Sequence, residues 1–250
     1  MRSFLLPFVA ICLLPGLADR IRAADDDLRA VVDKAIKAHG GEARLTKFKA
    51  ATAKSKGTIY AQGQKLPFTQ EASVQYPNQV KSVLEIEAGG QKITITTVFN
   101  GKKGWLNIGG NTTDMDDKLL DLVKNEMYVA EVMRLTGLKD KTYELSPLGE
   151  AKVDGKAAIG IRVSSKGRPD VNIYFDKASG LMAKVEHRSM DPMSGKEFTE
   201  EKILSDYHDV DGLKSPKHVV VNHDGDKFMD AEEVESKHVE SLDESVFAKP

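Results

Sequence analysis

The residues best suited to chemistry gather near the C-terminus, where Asp206, His208, Asp209, Asp211, His218, His223, Asp224 and Asp226 share one short stretch. Imidazoles and carboxylates are ligands for zinc, manganese and iron, so a metal-dependent hydrolase would draw on this cluster. The spacing argues against that. No His-x-x-x-His or His-Glu-x-x-His pattern occurs. Asp211-Gly212 and Asp224-Gly225 already have a sufficient role as hairpin turns, whose central residues need positive φ. His and Asp richness without ligand geometry does not make a site, so no metal and no cofactor are expected. The chain also lacks a Gly-x-Ser-x-Gly elbow, a phosphate loop and a dinucleotide fingerprint. Its one cysteine, Cys12, lies in an apolar N-terminal run. The rest of the chain has no thiolate nucleophile, disulfide or cysteine-based zinc site. These absences point away from an enzyme.

Two charged residues stand out by position. Glu126 falls on the apolar side of a long helical segment, and Arg134 lies two turns further on. Buried charges demand partners, so the two either gate an interior or form an exposed salt bridge. His39, just before Gly40-Gly41, is placed to meet the C-terminal carbonyls of the helix that precedes it.

The elements that position these residues follow an export leader. Arg2 supplies a positive start, and Phe4 to Leu17 is an apolar run of 14 residues broken by Pro7 and Pro15. A bilayer span needs about 20 residues, so the run reads as a signal peptide over 1–23, cleaved after Ala18 or Ala23. Ile11 before Cys12, and apolar residues continuing past it, argue against lipidation. Removing Arg2, Arg20, Arg22 and Asp19 with the leader takes the net charge from −2 to −4, which argues against nucleic acid as a partner. No later segment is apolar enough to cross a membrane, so membrane contact is at most peripheral. Residues 24–250 contain no Pro/Ser-rich linker and read as one domain, secreted across the inner membrane and periplasmic.

Asp25, Asp26 and Asp27 offer an N-cap to a first helix in which Leu28, Val31, Val32, Ala35 and Ile36 repeat at helical spacing. Gly40-Gly41 closes it, and a short second helix follows over about 42–48. The period then changes to two. Phe68, Ala72 and Val74, then Val80, Leu84 and Ile86, then Ile93, Ile95 and Phe99, alternate with polar neighbours. Later runs around Ile159, Ile173 and Val185 do the same. Turns at Gly89-Gly90, Asn100-Gly101, Asp154-Gly155, Ser179-Gly180 and Ser194-Gly195 separate them; Asn111-Thr112-Thr113 reads as another turn. One-sided alternation means one wet and one buried face, and ten or eleven such strands must curl.

The fold class is mainly β (α+β): a large curled antiparallel sheet forming an unclosed half-barrel, covered by the N-terminal helices and one long helix in its mouth. That helix spans about Asp116 to Thr136 and is ended by Gly137. Leu119, Leu122 and Val123 line one side of its first half, while its second half is apolar nearly all round, as enclosed helices are. Set above Phe99 and Trp105, it predicts a hydrophobic cavity lined by Phe99, Trp105, Leu119, Val123, Met127 and Met133. The simpler reading is that these side chains just form a core. Large curled sheets favour the cavity, because they enclose space that small barrels fill.

The opening helix with His39-Gly40-Gly41 and the run Tyr174-Phe-Asp-Lys-Ala-Ser-Gly-Leu-Met182 resemble bacterial envelope proteins of the lipoprotein-carrier (LolA-like) superfamily. So do Asp206-Tyr-His-Asp-Val-Asp-Gly-Leu-Lys-Ser-Pro216 and the closing Leu242-Asp-Glu-Ser-Val-Phe-Ala-Lys-Pro250. The similarity spans nearly the whole of residues 24–250. It implies an unclosed barrel with a helical lid, carrying lipoprotein acyl chains through the periplasm in the best-understood members. Those carriers keep an arginine on an early strand that ties the lid shut. Residues 50–100 contain none here, and Lys54, Lys56 or Lys65 are the candidates to replace it.

The function expected is a non-enzymatic periplasmic carrier or sensor, a monomer that binds a lipid, a lipoprotein acyl chain or another hydrophobic ligand. Its partners would be that ligand and envelope donor and acceptor proteins. The alternative is an envelope protein–protein interaction module with a packed interior, marked by an exposed apolar patch or a long unprotected edge strand.

Overall fold

The computed structural model describes residues 16–250 except Gln62 and Met193. Most of the expected leader, Cys12 included, lies outside the described residues. Helix α1 runs Gly16–Ala38, so Asp25, Asp26 and Asp27 lie within it instead of capping it. Arg20 to Ala24 before them carry no helix breaker, and interior aspartates cost a helix only a fraction of a kcal/mol each. After Gly40 and Gly41, both at positive φ, comes the short helix α2 (Glu42–Lys47).

Strands follow in order: β1 (Ala50–Ala61), β2 (Gln64–Gln75), β3 (Gln79–Ala88), β4 (Gln91–Phe99), β5 (Gly104–Ile108) and β6 (Asn111–Asp114). Helix α3 (Asp117–Met133) divides them from β7 (Glu144–Val153), β8 (Lys156–Ser164), β9 (Val171–Asp176) and β10 (Met182–Met190). Three long strands come last in the chain: β11 (Glu197–Val210), β12 (Leu213–His223) and β13 (Asp226–Val239). The described residues form one thirteen-stranded antiparallel sheet, ordered β6-β5-β4-β3-β2-β1-β13-β12-β11-β10-β9-β8-β7. It does not close into a barrel. Every neighbour in that order is a sequence neighbour except β1 and β13, whose pairing joins the two halves. Asp154, Asp211 and Asp224, with the glycines after them, all take positive φ, as their turns require.

Three details correct the sequence reading. Asn111-Thr112-Thr113 is strand β6, and the turn lies one step earlier at Gly109-Gly110. The long helix ends at Met133, three residues short of Thr136. The chain leaves it through Leu135 at φ 68, and Gly137 lies inside the 3-10 turn Thr136–Lys139 without ending the helix. Leu135 is 1% exposed; burying a leucine offsets the cost of the left-handed backbone.

The main core sets α1 (Leu28, Val32, Ala35, Ile36) and the second half of α3 (Tyr128, Val129, Val132) on Ile161, Val163, Val171, Ile173 and Val185 of β8–β10 and Leu204 of β11. Both helices therefore lie on one face of the sheet, its inner face.

Candidate functional site: the inner face of the half-barrel

Register carries the inner face from the helices to the far edge. Leu204 pairs with Val219, Val219 with Ala231, Ala231 with Gly57, Gly57 with Phe68, Phe68 with Ile86 and Ile86 with Ile93. Paired residues share a face and alternate residues return to it. On β1–β5 this face holds Ala, Ser, Gly, Ile, Leu, Phe, Gln, Val and Thr, and no charged side chain. Lys54, Lys56, Lys65, Glu71, Lys81, Glu85, Glu87 and Lys92 all stand on the opposite face. The lysines considered as lid ties are thus turned away from the helices.

The same register separates two residues assigned to one cavity. Phe99 pairs with Gly104 and Val98 with Trp105. Phe99 is therefore on the inner face, while Trp105 is on the outer one, packed with Val98 and Phe247 of the C-terminal 3-10 turn Glu244–Phe247. Trp105 is no part of the interior. Phe99 is buried, and a Cβ on its partner Gly104 would strike Met115 and Leu120 at the start of α3.

Further along the strands the helices leave the inner face open. Ile59, Phe68 and Ala231 form a second apolar cluster with Leu66, Leu84, Ile86, Phe228 and Met229. Ile93 and Ile108 are 40% and 49% exposed although both belong to this face. On α3, Leu119, Val123, Glu126, Ala130 and Met133 recur at intervals of four and three, one stripe of the helix. All five are part-buried, whereas Met127 is buried.

Glu126 ties that stripe to the sheet. Its Oε1 accepts from His187 Nε2 at 2.9 Å, and its Oε2 accepts from Lys202 Nζ at 3.0 Å. Lys202 also lies 3.0 Å from Glu200 Oε1, and His223 Nε2 stands 3.3 Å from Glu200 Oε2. His223 is stacked between Phe198 and Phe228, with ring centroids 4.1 and 4.0 Å away. Burial works to raise the Glu126 pKa, but Lys202 and His187 outweigh it and hold the carboxyl well below its usual range. Burial opposes the charge on Lys202 as well, and Glu126 with Glu200 overturns that, raising its pKa.

Glu126, His187 and Glu200 also have ligand atoms within 4.8 Å of one another. The Lys202 ammonium lies 3.0 Å from a carboxylate oxygen of each glutamate. Of the C-terminal histidines and aspartates singled out in the sequence, His223 reaches Glu200, while His208, His218, Asp211 and Asp224 bond elsewhere. His208 pairs with Glu233 and His218 with Asp230, each at 2.7 Å, while Asp211 and Asp224 accept from backbone amides.

At the other end of α3, Arg134 is 12% exposed. It donates to the carbonyls of Phe48 (3.0 Å) and Leu45 (2.6 Å), and its guanidinium sits 4.3 Å from the centre of the Tyr76 ring. It therefore ties α2 and the segment after it to α3. Behind it is a cavity of about 190 Å³, bordered by Leu45, Phe48, Tyr76, Met133, Tyr207 and Leu213. Ligand pockets measure about 300–1,000 Å³, so this one admits a large ligand only if α2 moves. His39 bonds Ala35 O at 2.8 Å, and burial lowers its pKa. Sequence spacing marked Glu126 and Arg134 but not their partners, which come from β10, β11 and α2.

No family model matches the chain, and no curated protein matches it. Among solved structures, a DUF1329 family protein from Desulfovibrio piger is 12% identical with a TM-score of 0.56, covering 88% of this chain and 96% of its own. A putative outer membrane lipoprotein-sorting protein domain from Vibrio parahaemolyticus is 10% identical at TM-score 0.53, covering 88% and 95%. A LolA superfamily protein from Nitrosomonas europaea is 12% identical at 0.52, covering 88% and 97%. The chain has a LolA-like fold.

Proposed function

We propose that this chain is a non-enzymatic carrier or sensor of the cell envelope that shelters a lipid, a lipoprotein acyl chain or another hydrophobic ligand inside the half-barrel. The observation that carries the reading is the inner face of β1–β5, which has no charged side chain and leaves Ile93 and Ile108 open to solvent. Exposed apolar surface costs about 25 cal/mol per Å², and contiguous patches of it mark binding sites. Leu119, Val123, Met127 and Met133 of α3 would flank the ligand, and Phe99 would close the trough near the start of α3. Arg134 would act as the gate by holding α2 over the smaller cavity. The lipoprotein-sorting description of the Vibrio neighbour agrees with acyl cargo, and the expected leader agrees with a periplasmic site of action. A carrier of this kind works with donor and acceptor proteins.

The interaction-module reading asks for an exposed apolar patch or a long unprotected edge; the exposed Ile93 and Ile108 belong to the inner face, and the edges do not support it. Edge strand β6 has 4 residues, and edge strand β7 carries Pro147 and a register break at Gly149, devices that blunt strand pairing.

The test is native mass spectrometry of the chain purified from an envelope fraction without detergent. Bound mass in the acyl-lipid range is expected. Ile95→Glu on the inner face should weaken lipid uptake by at least about tenfold, roughly 1.4 kcal/mol, while Thr96→Glu on the outer face leaves it unchanged. A polypeptide that stays bare after incubation with lipids would overturn the proposal.

A further inference from the structure

We propose that the ligand is an amphiphile with a cationic head, a protonated amine or quaternary ammonium. Its tail would lie on the apolar trough and its head beside Glu126 and Glu200. The inference rests on the carrier reading and adds the chemistry of the head.

The inner face is chemically lopsided. The row that starts at Lys202 on β11 continues through Val221, Met229, Ile59 and Leu66 on the next four strands. Strands lie about 4.8 Å apart, so within about 19 Å the floor passes from a charged cluster to hydrocarbon. A ligand matching this floor is polar at one end and apolar at the other. β1–β5 offer no charge to this face, so the head belongs at the β11 end.

The sign of the head follows from the cluster. Two carboxylates, Glu126 and Glu200, face one ammonium, Lys202, with His187 and His223 beside them. Carboxylates therefore outnumber ammonium groups two to one. Glu126 is also its most open member, at 41% side-chain exposure against 14% for Glu200 and 22% for Lys202. Core residues Tyr128, Val129 and Val132 turn the other side of α3 toward β8–β10. The Glu126 stripe therefore borders the uncovered part of the inner face. A carboxylate accepts up to about four hydrogen bonds, and the two protein donors leave Glu126 with capacity. An anionic head at the same place would meet two carboxylates, and a cation would meet its counter-charge in a site partly removed from water, where such pairing is strong.

The test compares three twelve-carbon probes below their micelle concentrations by titration calorimetry at pH 7: dodecyltrimethylammonium, dodecanoate and neutral dodecyl maltoside. The cation should bind at least about tenfold more tightly than dodecanoate. Glu126→Gln should remove most of that preference, with Glu200→Gln as a second variant should the first unfold, and Thr96→Glu on the outer face should leave all three affinities unchanged. Equal or tighter binding of dodecanoate, or a preference that survives both substitutions, overturns the cationic head and leaves the carrier reading standing. Binding of none of the three probes overturns both.

Discussion

Arg134 is the residue on which closure of the small cavity rests, and its bonds show why arginine occupies that position. A planar fork with several fixed donors reaches two carbonyls of α2 and its exit while stacking on Tyr76. Lysine keeps the charge but has no fork. Arg134→Lys should leave a carbonyl unsatisfied, at about 1–3 kcal/mol. The expected readout is faster hydrogen exchange at the α2 amides, with β8–β10 amides unchanged; uniform acceleration across the chain would count against a local tie. Glu126 and Arg134 were both legible as charges on an apolar helix. What each bonds was not, because His187, Lys202 and Leu45 stand 61, 76 and 89 residues away along the chain. The lysines on the early strands show the converse limit, since alternation already places Lys54, Lys56 and Lys65 away from the apolar positions.

At the scale of elements, the hairpin between β4 and β5 decides which aromatic belongs to which face. Once Asn100-Gly101 is the turn and Phe99 pairs with Gly104, Trp105 must join Val98 on the outside. There the C-terminal turn covers it through Phe247, which is 1% exposed. Phe247→Ala should cost about 3–5 kcal/mol. Trp105 is the sole tryptophan, so its emission should shift to the red in the folded variant. Unchanged emission would mean that the C-terminal segment does not shelter Trp105. Helix α3 shows how tertiary contacts override local signals. Gly137 offers a natural stop, but the helix ends earlier because Leu135 is drawn into the core.

The whole molecule depends on a join the chain makes late, between β1 and β13, which turns two runs of hairpins into one curved sheet. Gly57 lies at that join, and a Cβ there would strike the Asp230 carbonyl oxygen. Gly57→Ala should destabilise the protein by about 1–3 kcal/mol, seen as a lower denaturant midpoint; a midpoint unchanged from the parent would show that the backbone yields there at little cost. The sequence by itself determined the strand alternation, the Asp-Gly and Gly-Gly turns and the apolar α3, because each is written in neighbouring residues through periods of two and 3.6. Only the tertiary structure decided that Phe247 covers Trp105, that Lys202 and His187 meet Glu126, and that Arg134 closes on α2. Those pairings join residues far apart in the chain, and the packing of α3 and the C-terminal turn on the completed sheet brings them together.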